Sequence, residues 1–190
     1  AEGGPALILT WHAFALAALA LVPLALALSV DRRRMAETPG LAIAAASFGA
    51  LAGLTQAVGL WRWVFVVPTL ARIQADPAST AEDQAAAARA FEVLNLYGGV
   101  AIGEHLGQWL TVFFVASLSM LQWREGSRIT SGLGGATALV IAVGTTEGLA
   151  IALGRSGDPF ALFTIAGFLL LTLWLMATGV GLARGRRAPA

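Results

Sequence analysis

The sequence predicts an all-α transmembrane helix bundle, and three observations predict it. Hydrophobic residues make up 57% of the 190-residue chain and charged residues only 12%, about half the charged share of an ordinary soluble domain. The apolar residues gather in five runs, each close to the roughly 20 residues that cross a hydrocarbon core. The basic residues fall mainly between those runs. This composition argues against a soluble enzyme, a nucleic-acid binder and a disordered linker. Net charge is +1 and cysteine is absent, which excludes disulfides, thiolate catalysis, iron–sulfur clusters and cysteine-held zinc.

The first expected span is 5–30, too long and too apolar for a signal peptide, with a kink at Pro23. The second is 41–68 and ends at Pro68. The third is 98–122. The fourth is 135–154 and the fifth 160–183. Together they form one transmembrane domain over 1–190. The connection 69–97 reads as an outer amphipathic helix. Ser79-x-x-Glu82 gives a capping-box pattern, and strong helix formers follow from Ala81. Arg89, Glu92 and Asn95 form a polar stripe on it. Gly98-Gly99 is the expected bend into the third span. The chain starts at Ala1 rather than Met, so the reading expects a processed start or a missing upstream segment.

The connections set the orientation. Arg32, Arg33, Arg34, Arg124, Arg128, Arg184, Arg186 and Arg187 fall on one side of a five-helix path, and Arg72, Arg89 and Arg155 on the other. The positive-inside rule then places the N-terminus outside and the C-terminus in the cytoplasm of a bacterial cytoplasmic (inner) membrane. Small residues recur every fourth position: Ala45/Gly49/Gly53/Ala57, Gly99/Gly103/Gly107 and Gly144/Gly148/Ala152. Such ridges let helices approach closely in lipid. Packing within the bundle is the simplest use. A spare ridge would serve a homo-oligomer or a larger membrane complex.

Ionisable side chains inside a span are costly and mark candidate sites. Five occur here: His12, Arg62, Glu104, His105 and Glu147. At about 1.5 Å rise per residue they all lie roughly 9–11 Å from the outer boundary, on four different helices. Arg62 is the one permanent cation in the layer, so it should pair with Glu104 or Glu147. Gln108, one turn below Glu104, and Thr111 extend the stripe, with Thr55, Gln56, Thr145 and Thr146 nearby. The set suits a cavity that binds or transports a small polar ligand, an ion or a proton. A simpler reading is an Arg–Glu pair that fixes helix register in a structural subunit. Two other chemistries use the histidines: His12 and His105 as axial ligands of a haem, or His12, His105 and a glutamate around zinc. No HExxH motif, Ser/His/Asp pattern or phosphate loop appears, so an enzyme is the least supported class. Trp61-Arg62-Trp63 reads as interfacial anchoring or as a cation–π clamp.

The stretches GLWRWVFVVPTLA and GVAIGEHLG carry a resemblance. The chain resembles an uncharacterised bacterial family of multi-pass membrane proteins, catalogued as a domain of unknown function, over most of residues 1–183. The resemblance implies that Arg62, Pro68, Glu104, His105 and Gly107 belong to the family's recurrent motifs. It also implies one further upstream helix. It supplies no activity, substrate or cofactor.

Overall fold

A computed structural model describes residues 4–185, and all their regular structure is helical. The first rod is α1 (Gly4–Leu19) followed by α2 (Leu21–Ser29). Pro23 has no N–H, so the Leu19 carbonyl loses its helical partner and the rod breaks at Ala20. The break therefore falls one turn before the expected kink at Pro23. A short α3 (Arg32–Glu37) starts at Asp31, whose side chain accepts the Arg34 N–H at 2.8 Å. Then come α4 (Pro39–Phe65) and α5 (Val67–Ala75), divided at Val66 just before Pro68.

The next rod is unusual. α6 (Ala81–Leu94) runs without a gap into a π-helix, π1 (Asn95–Leu106), and on into α7 (Gly107–Arg124). The expected bend at Gly98-Gly99 is replaced by twelve residues of wide turns. The capping box is also one residue later than expected. Thr80 accepts the Asp83 N–H, and Asp83 accepts the Thr80 N–H at 3.1 Å; Ser79 and Glu82 are not its members. The chain closes with α8 (Arg128–Gly144), α9 (Thr146–Ala152) and α10 (Asp158–Gly185).

Among the described residues four rods are long and apolar enough to cross a membrane: Gly4–Ser29, Pro39–Ala75, Arg128–Ala152 and Asp158–Arg184. The expected third span, 98–122, is not among them, so the expected count of five is not exact by length and composition, although the rod that carries it runs from Glu104 at the Arg62 end to Arg124 beside Glu125 at the Arg34 end. Its polar residues are accommodated by its position. α7 packs against both α4 and α8 and buries Gln108, Thr111, Ser119 and Gln122 beside Val112, Phe114, Val115, Leu118 and Leu121. A helix surrounded by protein keeps polar groups that a lipid-facing helix would not. The outward faces of the other rods expose Leu9, Phe14, Leu54, Ile165, Leu169 and Met176. That apolar girdle fits a helical membrane protein.

Glycine sets the separation of α4 and π1. A Cβ on Gly59 would lie 2.6 Å from the Gly103 Cα, so the two backbones touch where neither has a side chain. The ridges pack within the bundle: Gly49 lies against Ala25 and Phe114, and Gly107 against Thr55 and Gln56. The third ridge does not hold together. The break at Thr145 turns Gly144 to Thr164 and Gly148 to His105, and leaves Ala152 exposed. At one end of the bundle Arg34 grips Glu125, bringing 31–38 beside 125–127. At the other end α5 packs on α6 and π1 on α9. Arg186 and Arg187 lie outside the described residues.

Candidate functional site

Arg62 is the centre of the second end. It sits on the last turn of α4 with only 8% of its surface exposed. Its Nη1 donates to the Gly59 carbonyl at 2.7 Å. Its Nη2 donates to Asn95 Oδ1 at 3.3 Å and to Glu104 Oε1 at 3.4 Å. Its Nε is buried without a hydrogen-bond partner among the described residues. The guanidinium lies over Gly99, where any side chain would collide with it, and 5.3 Å from the centre of the Trp63 ring. Half of the Glu104 side chain is exposed. The long separation and that exposure make the pair weaker than a closed, fully buried bridge.

The π-helix is what gives Arg62 two acceptors. Asn95 and Glu104 are nine residues apart. At 3.6 residues per turn nine residues make two and a half turns, which puts the two side chains on opposite faces. In a helix of i→i+5 bonds a turn holds between four and five residues, so nine residues make about two turns and the side chains align. Rare wide turns of this kind are frequent at functional sites.

The rest of the expected layer divides. Glu147 is not at Arg62. It sits in the first turn of α9, where Thr164 Oγ1 donates to its Oε2 at 3.3 Å. The expected pairing thus resolves to Glu104. His105 turns away from Arg62 as well: its Nδ1 donates to the Thr145 carbonyl at 3.0 Å, and its ring rests on Gly148. This bond uses the carbonyl freed at the α8–α9 break and leaves Nε2 as the open ring nitrogen. His12 lies on α1, which packs on α4, and its Nδ1 is buried without a partner among the described residues. No three His, Asp or Glu side chains among the described residues converge on a possible metal position, so the expected zinc set of His12, His105 and a glutamate does not form. Of the two histidines considered for haem, His105 is held by the Thr145 carbonyl and His12 is on α1.

Arg62, Glu104 and Gln108 do share a space. They line a 330 Å³ cavity together with Gln56, Gly59, Gly103 and Thr164. Trp11, Leu60, Trp63 and Phe168 form its apolar side. Trp11 stacks on Trp63 with ring centres 5.3 Å apart, and Phe91 meets Trp63 edge-on at 6.1 Å. Gln56 Nε2 donates to Thr111 Oγ1 at 2.9 Å, which fixes the amide below the charged pair.

The profile of a family described as "Domain of unknown function (DUF4386)" matches residues 1–179. The chain belongs to the DUF4386 family. No curated protein and no solved structure matches it. In this DUF4386 protein, Asn95 is a site residue that sequence reasoning placed on the outer stripe instead, because α-helical spacing separates it from Glu104. Arg34 and Glu125 were also missed as partners. Each stood in a loop read only for its positive charge, yet Arg34 Nε lies 2.5 Å from Glu125 Oε1 and Nη2 lies 2.7 Å from Oε2. Arg34 Nη1 also donates to the Leu28 carbonyl. The hydrogen bond that Arg34 donates to the Glu125 carboxylate raises the Arg34 pKa above the ordinary arginine value, against the opposing effect of burial.

Proposed function

We propose that this DUF4386 protein is a membrane-resident binding or transport protein that takes a small polar ligand into the cavity beside Arg62 and Glu104. One observation carries the reading: the buried cation and its half-exposed carboxylate border open space instead of closing on each other. A bridge that served only helix register would have no use for a cavity of 330 Å³, which is within the range of small-molecule sites. The walls suit a ligand with a polar head and an apolar body. Arg62 would be the fixed cation, Glu104 the acid that accepts a ligand donor or a proton, and Gln56 and Gln108 the orienting amides. Trp11, Leu60, Trp63 and Phe168 would enclose the body. His105 and Glu147 stand behind this set, each held by its own neighbour. The proposed setting is a bacterial cytoplasmic membrane, crossed several times, with the Arg62 end outward, because the arginine-bearing connections gather at the Arg34 end.

Native mass spectrometry of the gently extracted protein tests this reading. The wild type should carry a small co-purifying mass. Leu60→Trp, which fills the cavity from its apolar side, should lose that mass while keeping its fold. An adduct retained unchanged in the filled variant, or no adduct on either protein, would refute the proposal.

A further inference from the structure

A second and larger cavity, 460 Å³, lies at the opposite end of the bundle. Its rim is formed by Arg34, Glu125, Ser127, Arg128 and Thr130, and its walls by Leu28, Leu118 and Leu182. The charges around it are unbalanced. Asp31, Glu37 and Glu125 are all taken, by Arg33 and Arg34. Arg32, Arg124, Arg128 and Arg184 have no carboxylate partner among the described residues. Of these, Arg128 lines the cavity. Its guanidinium stacks 3.7 Å from the centre of the exposed Trp123 ring, which orders the fork without using its N–H donors. Such a fork matches a phosphate in geometry and charge.

The interior of the cavity holds both polar and apolar side chains. Gln122 Nε2 donates to Thr178 Oγ1 at 3.0 Å, and Trp174 Nε1 donates to Gln122 Oε1 at 3.3 Å. Thr178 is the acceptor in this chain, so its own hydroxyl hydrogen remains to be donated. About one turn nearer the rim on α10, Gly181 leaves a notch where a Cβ would meet nothing within 4 Å. A cation, a hydroxyl donor and leucine side chains thus line one cavity. These are the partners that the phosphate, an ester carbonyl and an acyl chain of a glycerophospholipid require.

We propose that this cavity is a site for one anionic phospholipid, with its phosphate on Arg128, an ester carbonyl on the Thr178 hydroxyl and an acyl chain between Leu28, Leu118 and Leu182. Arg34 is a positioning residue here, because three of its five N–H donors hold Glu125 and the Leu28 carbonyl. The site is independent of the cavity at Arg62.

The test embeds the protein in nanodiscs of equal parts phosphatidylglycerol and phosphatidylcholine and counts retained lipids by native mass spectrometry. The wild type should retain phosphatidylglycerol preferentially, and Arg128→Gln should reduce that preference about fivefold, the value of one arginine near an anionic lipid surface. Gly181→Leu places a branched side chain in the notch, where its Cβ meets nothing within 4 Å, so it should reduce retained lipid of both kinds even if Arg128→Gln fails to fold. An unchanged preference in Arg128→Gln, or unchanged retention in Gly181→Leu, would overturn the proposal. So would displacement of the retained lipid by millimolar inorganic phosphate, which would show a site for free phosphate.

Discussion

Replacing Gly103 by alanine perturbs the structure at its tightest point. The new Cβ would stand 2.9 Å from the Gly59 Cα and 3.3 Å from the Gly98 carbonyl oxygen. Both neighbours are backbone, so neither can rotate away. An ordinary carbon contact begins near 3.4 Å, so α4 and π1 must separate by about 0.5 Å, and overpacking of this kind costs about 1–3 kcal/mol. The separation also acts on the site. Arg62 is tied to α4 through the Gly59 carbonyl, and Glu104 follows Gly103 on π1. The 3.4 Å contact between them would lengthen to about 3.9 Å, beyond hydrogen-bond range. Improved helix propensity returns up to about 1 kcal/mol. From the middle of that cost, about 2 kcal/mol, the net loss is then about 1–2 kcal/mol, which for a chain of this size lowers Tm by roughly 2–8 °C. Thermal unfolding in detergent, followed by tryptophan fluorescence, measures it. Gly135→Ala is the control, because its Cβ would meet nothing within 4 Å. It should match or slightly exceed the wild type. If Gly103→Ala behaves like Gly135→Ala, α4 and π1 do not touch there and the packing argument fails.

Arg62→Leu should lower stability by about 2 kcal/mol, between the values for an exposed and a fully buried pair. Adding Glu104→Gln should recover part of that loss in a double-mutant cycle, and purely additive losses would show that the two side chains do not interact. The Asp83 carboxylate is held below the ordinary aspartate range by the Thr80 hydroxyl and N–H. Its help to the α6 start is therefore complete above that range and lost as pH falls below about 4. Amide exchange at Asp83 should rise there in the wild type and should already be fast at neutral pH in Thr80→Ala. A cysteine at Ala36 should be labelled only after the cells are opened, and labelling of intact cells by an impermeant reagent would reverse the proposed orientation.

The helices were legible because five apolar runs separated by arginines permit few other arrangements. Two of the three small-residue ridges were legible for the same reason: Gly49, Gly53 and Gly103 pack against neighbouring helices as expected. Three features were not. The 98–122 segment falls short of the other four in apolar composition because Gln108, Thr111, Ser119 and Gln122 sit on α7, and the packing of α4 and α8 against it is what buries them. The break at Thr145 was hidden in an unbroken apolar run. It decides that His105 bonds a free carbonyl instead of joining Arg62. The π-helix left no sign in α-helical periodicity, so Asn95 was read on the wrong face. The equal depth of Arg62 and Glu104 was readable from residue counting. Equal depth does not fix azimuth, which is why Glu147 shares the layer without sharing the pair.

The most direct measurement is a density map of the protein in a lipid nanodisc at side-chain resolution. The account predicts non-protein density in the cavity bounded by Trp11, Leu60, Arg62, Glu104 and Gln108, within hydrogen-bond distance of Arg62 or Glu104. A cavity closed by Leu60 and Phe168, with Arg62 and Glu104 drawn into a short bidentate bridge, would contradict it.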